Sequence, residues 1–443
     1  MKSLGTAVAC LALLLAAGRS HAQAWTTLSP PARCAARMVF DSANARVILF
    51  GGTSVYADDR YYSDVWQMPA GNAGYSGWSP LRPAGTPPSG RADCAMVIDP
   101  PGNRAIVFGG SPAFGALVND VWALNLVPRN PNWESLAPSG SPPSARAYPF
   151  AAYHPGRRSL IIFGGYASSG AQDDVWELRL DSLAWRQIAV SGRRPPARYD
   201  GAAVLDADGD RLLVYGGKAG GTFYGDLWEL DLTPGSERWT QLAPSGNPPA
   251  ERAGFAHAQS GDGRKLYVFG GWAPNFLADL YELDVPSLAW TRFAAGGDVP
   301  QPRRNSCGAW DSGNGNFLVY GGECGVGLYL SDASYIHPGS VAVTAPVWQV
   351  QTRSNPALFI PTVTARGVVV QYVAPGDEPV QIDIVGVDGR VVRELLRGRT
   401  PGTNGSLHWD GTGPDGARVS AGSYFCRLAV GATAVTRRFA LVE

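Results

Sequence analysis

Short apolar runs that end in a pair of glycines recur six times along the chain. In the first of them, Val47-Ile48-Leu49-Phe50 precedes Gly51-Gly52. Apolar runs of this length, bounded by glycine and by turn residues, are typical of buried β-strands. The six pairs follow one another at nearly even intervals, and their first glycines are Gly51, Gly109, Gly164, Gly216, Gly270 and Gly321. A period of about fifty residues predicts repeated supersecondary units.

Each glycine pair has companions at a nearly constant spacing. An arginine precedes the first glycine at one constant separation in five units and at a separation one position shorter in the sixth: Arg33, Arg91, Arg146, Arg198, Arg252 and Arg304. Aspartate, an apolar residue and an aromatic residue follow the pair in five units, whereas the sixth has Asp332-Ala333-Ser334 with Tyr335 one place late. A further tryptophan then closes each unit. We therefore predict four short strands per unit, and eleven of the 14 tryptophans as structural core.

The arginine, the apolar run with its two glycines, the aromatic residue and the closing tryptophan resemble the Kelch repeat. The resemblance extends over residues 25–348 and implies an all-β fold, a six-bladed β-propeller. Trp25 and Trp348 are the two candidates for the tryptophan of the last outer strand. We expect Trp25-Thr26-Thr27-Leu28 to join the last blade, because closing the ring removes both exposed edges.

Composition narrows the class of protein further. The chain of 443 residues carries 37 basic and 37 acidic residues, and 45% of its residues are hydrophobic. The zero net charge argues against a nucleic-acid partner, and the apolar content argues against disorder. The 55 glycines and 35 prolines fit many short strands joined by turns.

Residues 1–24 have the pattern of a secretory signal peptide. Lys2 supplies the positive start, an apolar stretch from Gly5 to Gly18 follows, and small residues after it offer a cleavage site. No later segment is long and apolar enough to be a transmembrane helix. We therefore expect a secreted or extracytoplasmic protein, in the periplasm or at the cell surface. Disulfides are permitted there, and the pairing stays open for these five cysteines: Cys34, Cys94, Cys307, Cys324 and Cys426.

Residues 349–354 read as a linker, and residues 355–443 read as a second, smaller unit. Strand candidates include Val380–Ile384 and Tyr424–Leu428, and Asp388-Gly389 is a hairpin signal. Short strands at this spacing suggest a small β-sandwich. With Trp409-Asp410-Gly411 and Ala421-Gly422-Ser423-Tyr424-Phe425, this part resembles the Ig-like domain of the flagellar hook-capping protein and the sorting domains of type-IX-secreted proteins. The resemblance implies a module for sorting or attachment, which would contact the secretion machinery or the cell surface.

The six arginines are candidates for ligand binding, because the loops that carry them should share the face at the mouth of the central channel. A guanidinium group pairs well with a carboxylate or another anion. The alternative is a repeated structural hydrogen bond between blades, which their presence in every unit favours.

The loops after the glycine pairs differ between units and are candidates for specificity. Aromatic planes beside charged groups suit sugar or protein recognition, and scattered surface aromatics are the alternative. The candidate binding residues in these loops are Tyr56, Asp58, Tyr61, Tyr224 and Trp272.

The acidic turn Asp206-Ala207-Asp208-Gly209-Asp210 looks like a calcium loop, but Arg211 and Gly217 stand where an EF-hand needs glycine and glutamate. The few histidines of the mature chain do not predict a copper site. We expect no metal, no cofactor and no catalytic residue.

Two functions from different classes remain. The first is a secreted or cell-surface binding protein, whose propeller face recognises a protein or glycan ligand. The second is an extracytoplasmic enzyme acting on sugars, resembling the Kelch-type sialic acid mutarotases or, less well, the copper radical oxidases. For a mutarotase, the arginine ring and Glu323 would supply the anion clamp and the acid–base groups. The signal-like start argues against the cytoplasmic ubiquitin-ligase adaptors that also contain Kelch repeats.

Overall fold

A computed structural model describes fourteen segments of the chain: residues 30–54, 60–71, 74–206, 208–293, 296–297, 299–325, 328–338, 347–350, 357–359, 363–365, 368–374, 379–398, 404–431 and 433–442. Within these segments the chain forms strands and turns and no helix, which confirms the expected all-β class. Four expectations lie outside the described residues: the signal peptide 1–24, the strand at 25–28, the binding candidates Tyr56 and Asp58, and most of the linker 349–354.

Each of the six repeats forms an antiparallel sheet of four main strands, to which shorter pieces are added. Sheet 1 contains β1 (Arg37–Asp41), β2 (Arg46–Phe50), β3 (Val65–Gly71), β4 (Gly74–Tyr75) and β5 (Ser79–Leu81). Sheet 2 contains β6 (Ala95–Asp99), β7 (Arg104–Ala113), β8 (Ala116–Asn125) and β9 (Asn132–Leu136). Sheet 3 contains β10 (Arg146–Ala147), β11 (Phe150–His154), β12 (Ser159–Ala167), β13 (Gly170–Arg179) and β14 (Ala184–Gln187).

The next three repeats follow the same plan. Sheet 4 contains β15 (Ser191–Gly192), β16 (Ala202–Asp206), β17 (Arg211–Tyr215), β20 (Leu227–Asp231) and β21 (Arg238–Leu242), beside a hairpin of β18 (Lys218–Ala219) and β19 (Thr222–Phe223). Sheet 5 contains β22 (Ser245–Gly246), β23 (Ala256–Gln259), β24 (Lys265–Ala273), β25 (Asn275–Asp284) and β26 (Ala289–Phe293). Sheet 6 contains β27 (Gly296–Gly297), β28 (Cys307–Asp311), β29 (Asn316–Tyr320), β30 (Ala333–Ile336) and β31 (Val347–Val350).

The sheets follow one another in chain order, and the sixth contacts the first. First main strands lie side by side between sheets 1 and 2, 2 and 3, 3 and 4, and 5 and 6, and β28 of sheet 6 lies beside β1 of sheet 1. The closing tryptophan of a repeat packs on an aromatic residue at the end of the second main strand in the preceding sheet, with ring centroids 4.9–5.4 Å apart. The pairs are Trp133–Phe50, Trp185–Phe108, Trp239–Phe163, Trp290–Tyr215 and, between sheets 1 and 6, Trp78–Tyr320.

A buried arginine ties together three points of its own sheet. Arg146 has no exposed surface, and its guanidinium donates to both oxygens of Asp174, to the carbonyl of Gly164 and to the carbonyl of Ser144. The indole of Trp176 donates to the same aspartate, 2.7 Å away. All six sheets repeat this clamp: Arg33–Asp64, Arg91–Asp120, Arg146–Asp174, Arg198–Asp226, Arg252–Asp279 and Arg303–Asp332, with shortest N–O distances of 2.5–2.7 Å.

The clamp corrects two details of the expected arginine ring. In the sixth repeat the clamp residue is Arg303, which donates to the carbonyl of Gly321 and restores the separation found in the other five repeats; Arg304 is its neighbour. The side-chain bonds also stay within one repeat instead of joining two blades. The bonds stay within one repeat because the separation between the arginine and the glycine pair is constant. This separation places the arginine opposite the end of the second main strand in the same repeat.

The glycine pairs join neighbouring repeats through the backbone. The amide of Gly52 donates to the carbonyl of Arg91 in the next repeat, and Gly322 of the last repeat donates to Arg33 of the first. Gly51 has φ of 71°, and a Cβ there would lie 2.6 Å from the Arg91 carbonyl oxygen. Only glycine fits both the positive φ and the close approach.

The last outer strand comes from the C-terminal side of the repeats. In sheet 6, β31 pairs with β30 through Ser334 opposite Val350, so the strand that contains Trp348 occupies the place expected for residues 25–28. The described part of the N-terminal segment contributes differently: the carbonyls of Pro30 and Pro31 accept the hydroxyl of Tyr320.

Residues 357–442 form two further sheets. One contains β32 (Ala357–Phe359), β34 (Val368–Val373) and β37 (Asn404–Trp409). The other contains β33 (Val363–Ala365), β35 (Val380–Val385), β36 (Val391–Gly398), β38 (Gly422–Val430) and β39 (Thr433–Val442). Both sheets contribute to one apolar core, in which Val370 and Trp409 of the first join Ile382, Leu428 and Phe439 of the second. The strands expected at Val380–Ile384 and Tyr424–Leu428 are confirmed.

The clamp should be worth far more than a surface ion pair. Asp174→Ala leaves the charge of Arg146 buried without its partner, so we expect the free energy of unfolding to fall by about 3 kcal/mol. Asp181→Ala is the matched control, because Asp181 pairs with Arg158 where both side chains reach solvent; its effect should be at most about 1 kcal/mol. Urea unfolding measures both changes. Equal losses in the two variants would show that the clamp has no special energetic role.

Candidate functional site

A closed belt of six hydrogen bonds surrounds the central channel. The residue two places after each clamp arginine has φ between 52° and 67°, and its amide donates to the carbonyl of the corresponding residue in the preceding repeat. The belt residues are Ala35, Asp93, Tyr148, Asp200, Gly254 and Asn305. The donor–acceptor distances are 2.6–3.1 Å, and the amide of Ala35 closes the belt on Asn305.

A cavity of about 890 Å³ lies on one side of the belt, and all six repeats line it. Its wall comes from two register positions that pair across neighbouring strands. The first is the residue after each clamp arginine: Cys34, Ala92, Ala147, Tyr199, Ala253 and Arg304. The second is the residue after each glycine pair: Thr53, Ser111, Tyr166, Lys218, Trp272 and Glu323. A smaller cavity of about 300 Å³, with Arg37 and His257 in its lining, lies on the other side.

One side of the cavity wall combines two cations with aromatic rings. Lys218 Nζ lies 4.7 Å and Arg304 Cζ 4.8 Å from the centroid of the same indole, that of Trp272. The Arg304 guanidinium also pairs with Glu323 at 2.9 Å, and only 3% of that glutamate side chain is exposed. Tyr199 adds a second ring 5.4 Å from Lys218 Nζ. This wall presents flat apolar surface beside positive charge.

Two carboxyl groups of the belt form the floor between the two cavities and line both of them: Asp93, which is buried, and Asp200, which is half-buried. Burial raises the pKa of Asp93 to about 7, although Arg37 and a hydrogen bond from Tyr148 act in the opposite direction. Burial also raises the pKa of Asp200 to about 6, against the attraction of Lys218, Arg37 and Arg304. These two groups therefore titrate near neutral pH.

The pKa values of four clamp aspartates are shifted in the opposite direction. Burial alone would raise the pKa of Asp64, but the hydrogen bond and charge of Arg33 and the hydrogen bond from Trp66 lower it below the usual value. The pKa of Asp120 is lowered in the same manner by Arg91. The carboxylates of Asp64, Asp120, Asp174 and Asp226 thus stay ionised at neutral pH, whereas the carboxyls of Asp93 and Asp200 change charge near it.

Comparisons with known proteins identify Kelch repeats in this chain. The family model described as the KLHDC2/KLHL20/DRC7 Kelch-repeats domain matches residues 11–156, 41–271 and 155–342, which together are more than half of the chain. The chain belongs to the Kelch-repeat family. Its fold is therefore a Kelch β-propeller. The solved structure of YjhT is similar in fold, with a TM-score of 0.52 and 18% identity, covering 73% of this chain and 99% of that one.

Curated relatives share the Kelch repeats over part of their length. Adagio-like protein 3 of Oryza sativa subsp. japonica is 29% identical over 262 residues, which are 56% of this chain and 40% of that protein. Host cell factor 2 of Homo sapiens is 33% identical over 197 residues, which are 39% of this chain and 24% of that protein. The match thus spans less than half of the length of each of these relatives.

The structure separates the predicted arginines into two groups. Five of them are at most 1% exposed and lie inside the sheets, where aspartate and backbone carbonyl oxygens accept hydrogen bonds from their guanidinium groups. These five are Arg33, Arg91, Arg146, Arg198 and Arg252. Their geometry supports the structural interpretation of the Kelch arginine, with the bond inside a repeat. Arg304 alone of the six lines the cavity, because the clamp register falls on Arg303.

The aromatic candidates are also divided. Tyr61 and Trp272 line the cavity, together with Tyr166 and Lys218 from the other variable loops. Tyr224 instead covers a clamp, with its ring centroid 4.0 Å from Cζ of Arg198. Tyr224 thus shields a buried charge.

The residues missed from the sequence are those of the belt, above all Asp93, Tyr148 and Asp200. Their signal was present: each stands two places after the clamp arginine, in Arg-Ala-Asp, Arg-Ala-Tyr and Arg-Tyr-Asp. Only the structure shows that this position has a positive φ and faces the channel.

The acidic turn at 206–210 has protein partners. Asp206 pairs with Arg211, and Asp210 pairs with His154 and Arg157. Among the residues that the structure describes, no three acidic, histidine or cysteine side chains cluster as a metal site. None of the described residues forms a helix that could span a membrane.

Asp93→Asn should change how stability depends on pH. Because the folded-state pKa of Asp93 lies above the ordinary value of about 4, ionisation destabilises the native state as pH rises from about 4 to 7. The variant removes this penalty. It should exceed the wild type by up to about 4 kcal/mol above pH 7 and equal it near pH 4.

Guanidinium chloride unfolding across this pH range measures the effect. Asp208→Asn, which changes an exposed carboxylate in the same propeller, is the control for the loss of one negative charge. A constant difference between Asp93→Asn and the wild type at all pH values would contradict the raised pKa.

Proposed function

We propose that the protein is a secreted or cell-surface binding protein, and that the cavity-bearing face of its propeller recognises a protein or glycan ligand. One observation carries the proposal: all six repeats line a single cavity, and its wall sets aromatic planes beside Lys218 and Arg304. Aromatic planes contact sugar rings or protein side chains, and cations bind carboxylates. The signal-like start of the sequence supports the secreted location.

We propose six blades for this propeller. The belt passes once through each repeat and returns to its start, the amide of Gly322 donates to the carbonyl of Arg33, and Trp78 packs on Tyr320. All three contacts join the last repeat to the first.

The ligand that fits this wall carries an acidic group beside an apolar face. Glu323 pairs with Arg304, and Lys218 adds a second positive charge to the wall. At the rim, Phe114 is 84% exposed at the tip of the hairpin between β7 and β8, and Tyr166 is 43% exposed. Exposed aromatics around a charged cavity are typical of a recognition surface.

Arrays of acidic glycans and acidic peptides test the proposal on the intact protein. We expect Trp272→Ala to weaken binding of the captured probe at least about tenfold, because the indole contributes the flat contact surface. The double variant Arg304→Met/Glu323→Gln should have a similar effect and leaves no buried carboxylate unpaired.

Arg238→Ala is the matched control, because Arg238 is exposed on the outer strand β21 and should leave the affinity unchanged. Thermal melting verifies that each variant is folded. Equal affinities in the wild type and both cavity variants would defeat the proposal.

A sugar-modifying enzyme is the second candidate, and the floor of the cavity favours it. Asp93 and Asp200 exchange protons near neutral pH, and Tyr148 is hydrogen-bonded to Asp93. Groups that titrate near the working pH are suited to general acid–base catalysis. Turnover of a free sugar acid by the wild type, lost in Asp200→Asn, would replace the binding proposal with this one.

We also propose that residues 355–443 are an Ig-like β-sandwich for sorting or attachment. Two sheets that share one core support a sandwich, and the sequence resemblance supports the role. Deleting residues 355–443 should move the protein from the cell surface to the medium or prevent its export, while its melting temperature changes little. Cell fractionation compares the variant with the full chain. Unchanged export and retention would contradict the attachment role.

A further inference from the structure

The smaller cavity, on the other side of the belt, brings together a cation and two carboxyl groups. Its volume is about 300 Å³, and its charged lining consists of Arg37, Asp93 and Asp200. His257 lines it too, but burial and the charge of Arg37 lower the pKa of this histidine to about 4, so its ring is neutral at neutral pH. Among the described side chains, none brings a carboxylate oxygen within 4.0 Å of the Arg37 guanidinium. The cation is therefore close to the carboxyl groups without being paired with them.

Arg37 keeps part of its guanidinium group free for a ligand. Its Nε donates to the carbonyl of Cys94 at 2.5 Å, and its Nη1 donates to the carbonyl of Ala36 at 3.1 Å. These bonds fix the side chain near Asp93, the residue before Cys94, whereas Nη2 has no acceptor in the described part of the chain. Because a guanidinium group has five N–H donors, most of them stay open to an anion in the cavity.

Two side-chain oxygens converge at another point of the belt, above Gly254. A Cβ at this glycine would lie 3.2 Å from Oδ2 of Asp200 and 2.5 Å from Oδ1 of Asn305. Gly254 lines the smaller cavity, so its missing side chain leaves both oxygens open to that space. No described residue donates a hydrogen bond to either oxygen. Asp200 is half-way round the belt from Ala35, which precedes Arg37 by two places, so acceptors and cation face each other across the channel.

The rest of the lining suits a ligand that is partly polar and partly apolar. Ser306 is 5% exposed, and its hydroxyl has no hydrogen-bond partner in the described part of the chain. A buried polar group without a partner costs free energy, which a polar ligand would recover. Buried apolar side chains form much of the remaining surface, among them Met38, Met96, Val97, Phe255 and Ala258.

We propose that the smaller cavity binds a free α-amino acid with an apolar side chain. Arg37 holds the α-carboxylate, Asp200 and Asn305 accept hydrogen bonds from the α-ammonium group, and the apolar lining surrounds the side chain. The volume of about 300 Å³ is at the lower end for small-molecule sites, which suits a ligand of this size. This site lies outside the larger cavity, so the inference goes beyond the proposed function and does not rest on it.

Ligands with a single charge fit this lining less well. A simple carboxylate would meet Arg37, but it would add a negative group beside Asp93 and Asp200. A simple amine would meet the carboxyl groups, but it would leave the open donors of Arg37 unsatisfied. A zwitterion matches both signs of charge at once, and complementary charges give a binding site its specificity.

Isothermal titration calorimetry of the intact protein with L-leucine tests the proposal. Two analogues each lack one charged group of leucine: isopentylamine has no carboxylate, and isocaproate has no ammonium group. We expect each analogue to bind at least about tenfold more weakly than leucine, because each loses a charge-assisted contact.

Variants assign each charged group of the ligand to its partner. Arg37→Met should weaken leucine binding at least about tenfold without weakening that of isopentylamine, which has no group for Arg37. Asp200→Asn should weaken leucine binding to a similar extent without weakening that of isocaproate. Arg264→Met is the matched control, because Arg264 is exposed on the turn between β23 and β24 and does not line the cavity. Thermal melting verifies that each variant is folded.

Two results would overturn the proposal, and neither requires a variant. One is that both analogues bind the wild type as tightly as leucine does. The other is that L-leucine, L-methionine and L-phenylalanine all fail to bind the folded protein at millimolar concentrations. Both results leave the proposed recognition by the larger cavity intact, because Arg37 does not line that cavity. A failed array, in turn, leaves the amino-acid site intact.

Discussion

Six buried Arg–Asp clamps hold the loops of this protein in place. A guanidinium without exposed surface is stable only if its donors are satisfied, because an unpaired buried charge costs several kcal/mol. Each clamp meets this demand with one aspartate, one glycine carbonyl and one carbonyl two residues earlier. The same arginine offers its own backbone carbonyl to the preceding repeat. Local satisfaction of one charge thereby sets the geometry between neighbouring sheets.

The functional surface is built immediately beside these clamps. Two positions of each repeat face the cavity: the residue after the clamp arginine and the residue after the glycine pair. The residue two places after the clamp arginine belongs to the belt. Because the neighbours of these positions are structurally fixed, their side chains are free to vary. They range from Ala92 and Ser111 on one side to Lys218, Trp272 and Arg304 on the other. The asymmetry of the cavity therefore arises from an almost regular frame.

The charges of the molecule divide according to their environment. Four clamp carboxylates have lowered pKa values, because each accepts hydrogen bonds from a buried arginine: Asp64, Asp120, Asp174 and Asp226. On the belt, Asp93 is buried and Asp200 is half-buried, and no arginine in the described part of the chain forms an ion pair with either, so their pKa values rise instead. A buried carboxylate whose charge is fully balanced by hydrogen bonds and a cation stabilises the fold. A carboxyl whose charge is only partly balanced has a raised pKa and can exchange protons near neutral pH.

The all-β class, the Kelch repeats and most of the clamp can be predicted from the chain alone, because periodic spacing is visible in the sequence without any knowledge of tertiary contacts. It placed Trp272 and Tyr61 in the loops that follow glycine pairs, and both residues line the cavity. It could not choose between Arg303 and Arg304, because adjacent residues of one type differ only in the partners that the fold supplies. It also could not reveal the belt, or that β31 completes sheet 6. These depend on contacts between repeats distant in sequence, which only the closing of the sheets around the channel creates.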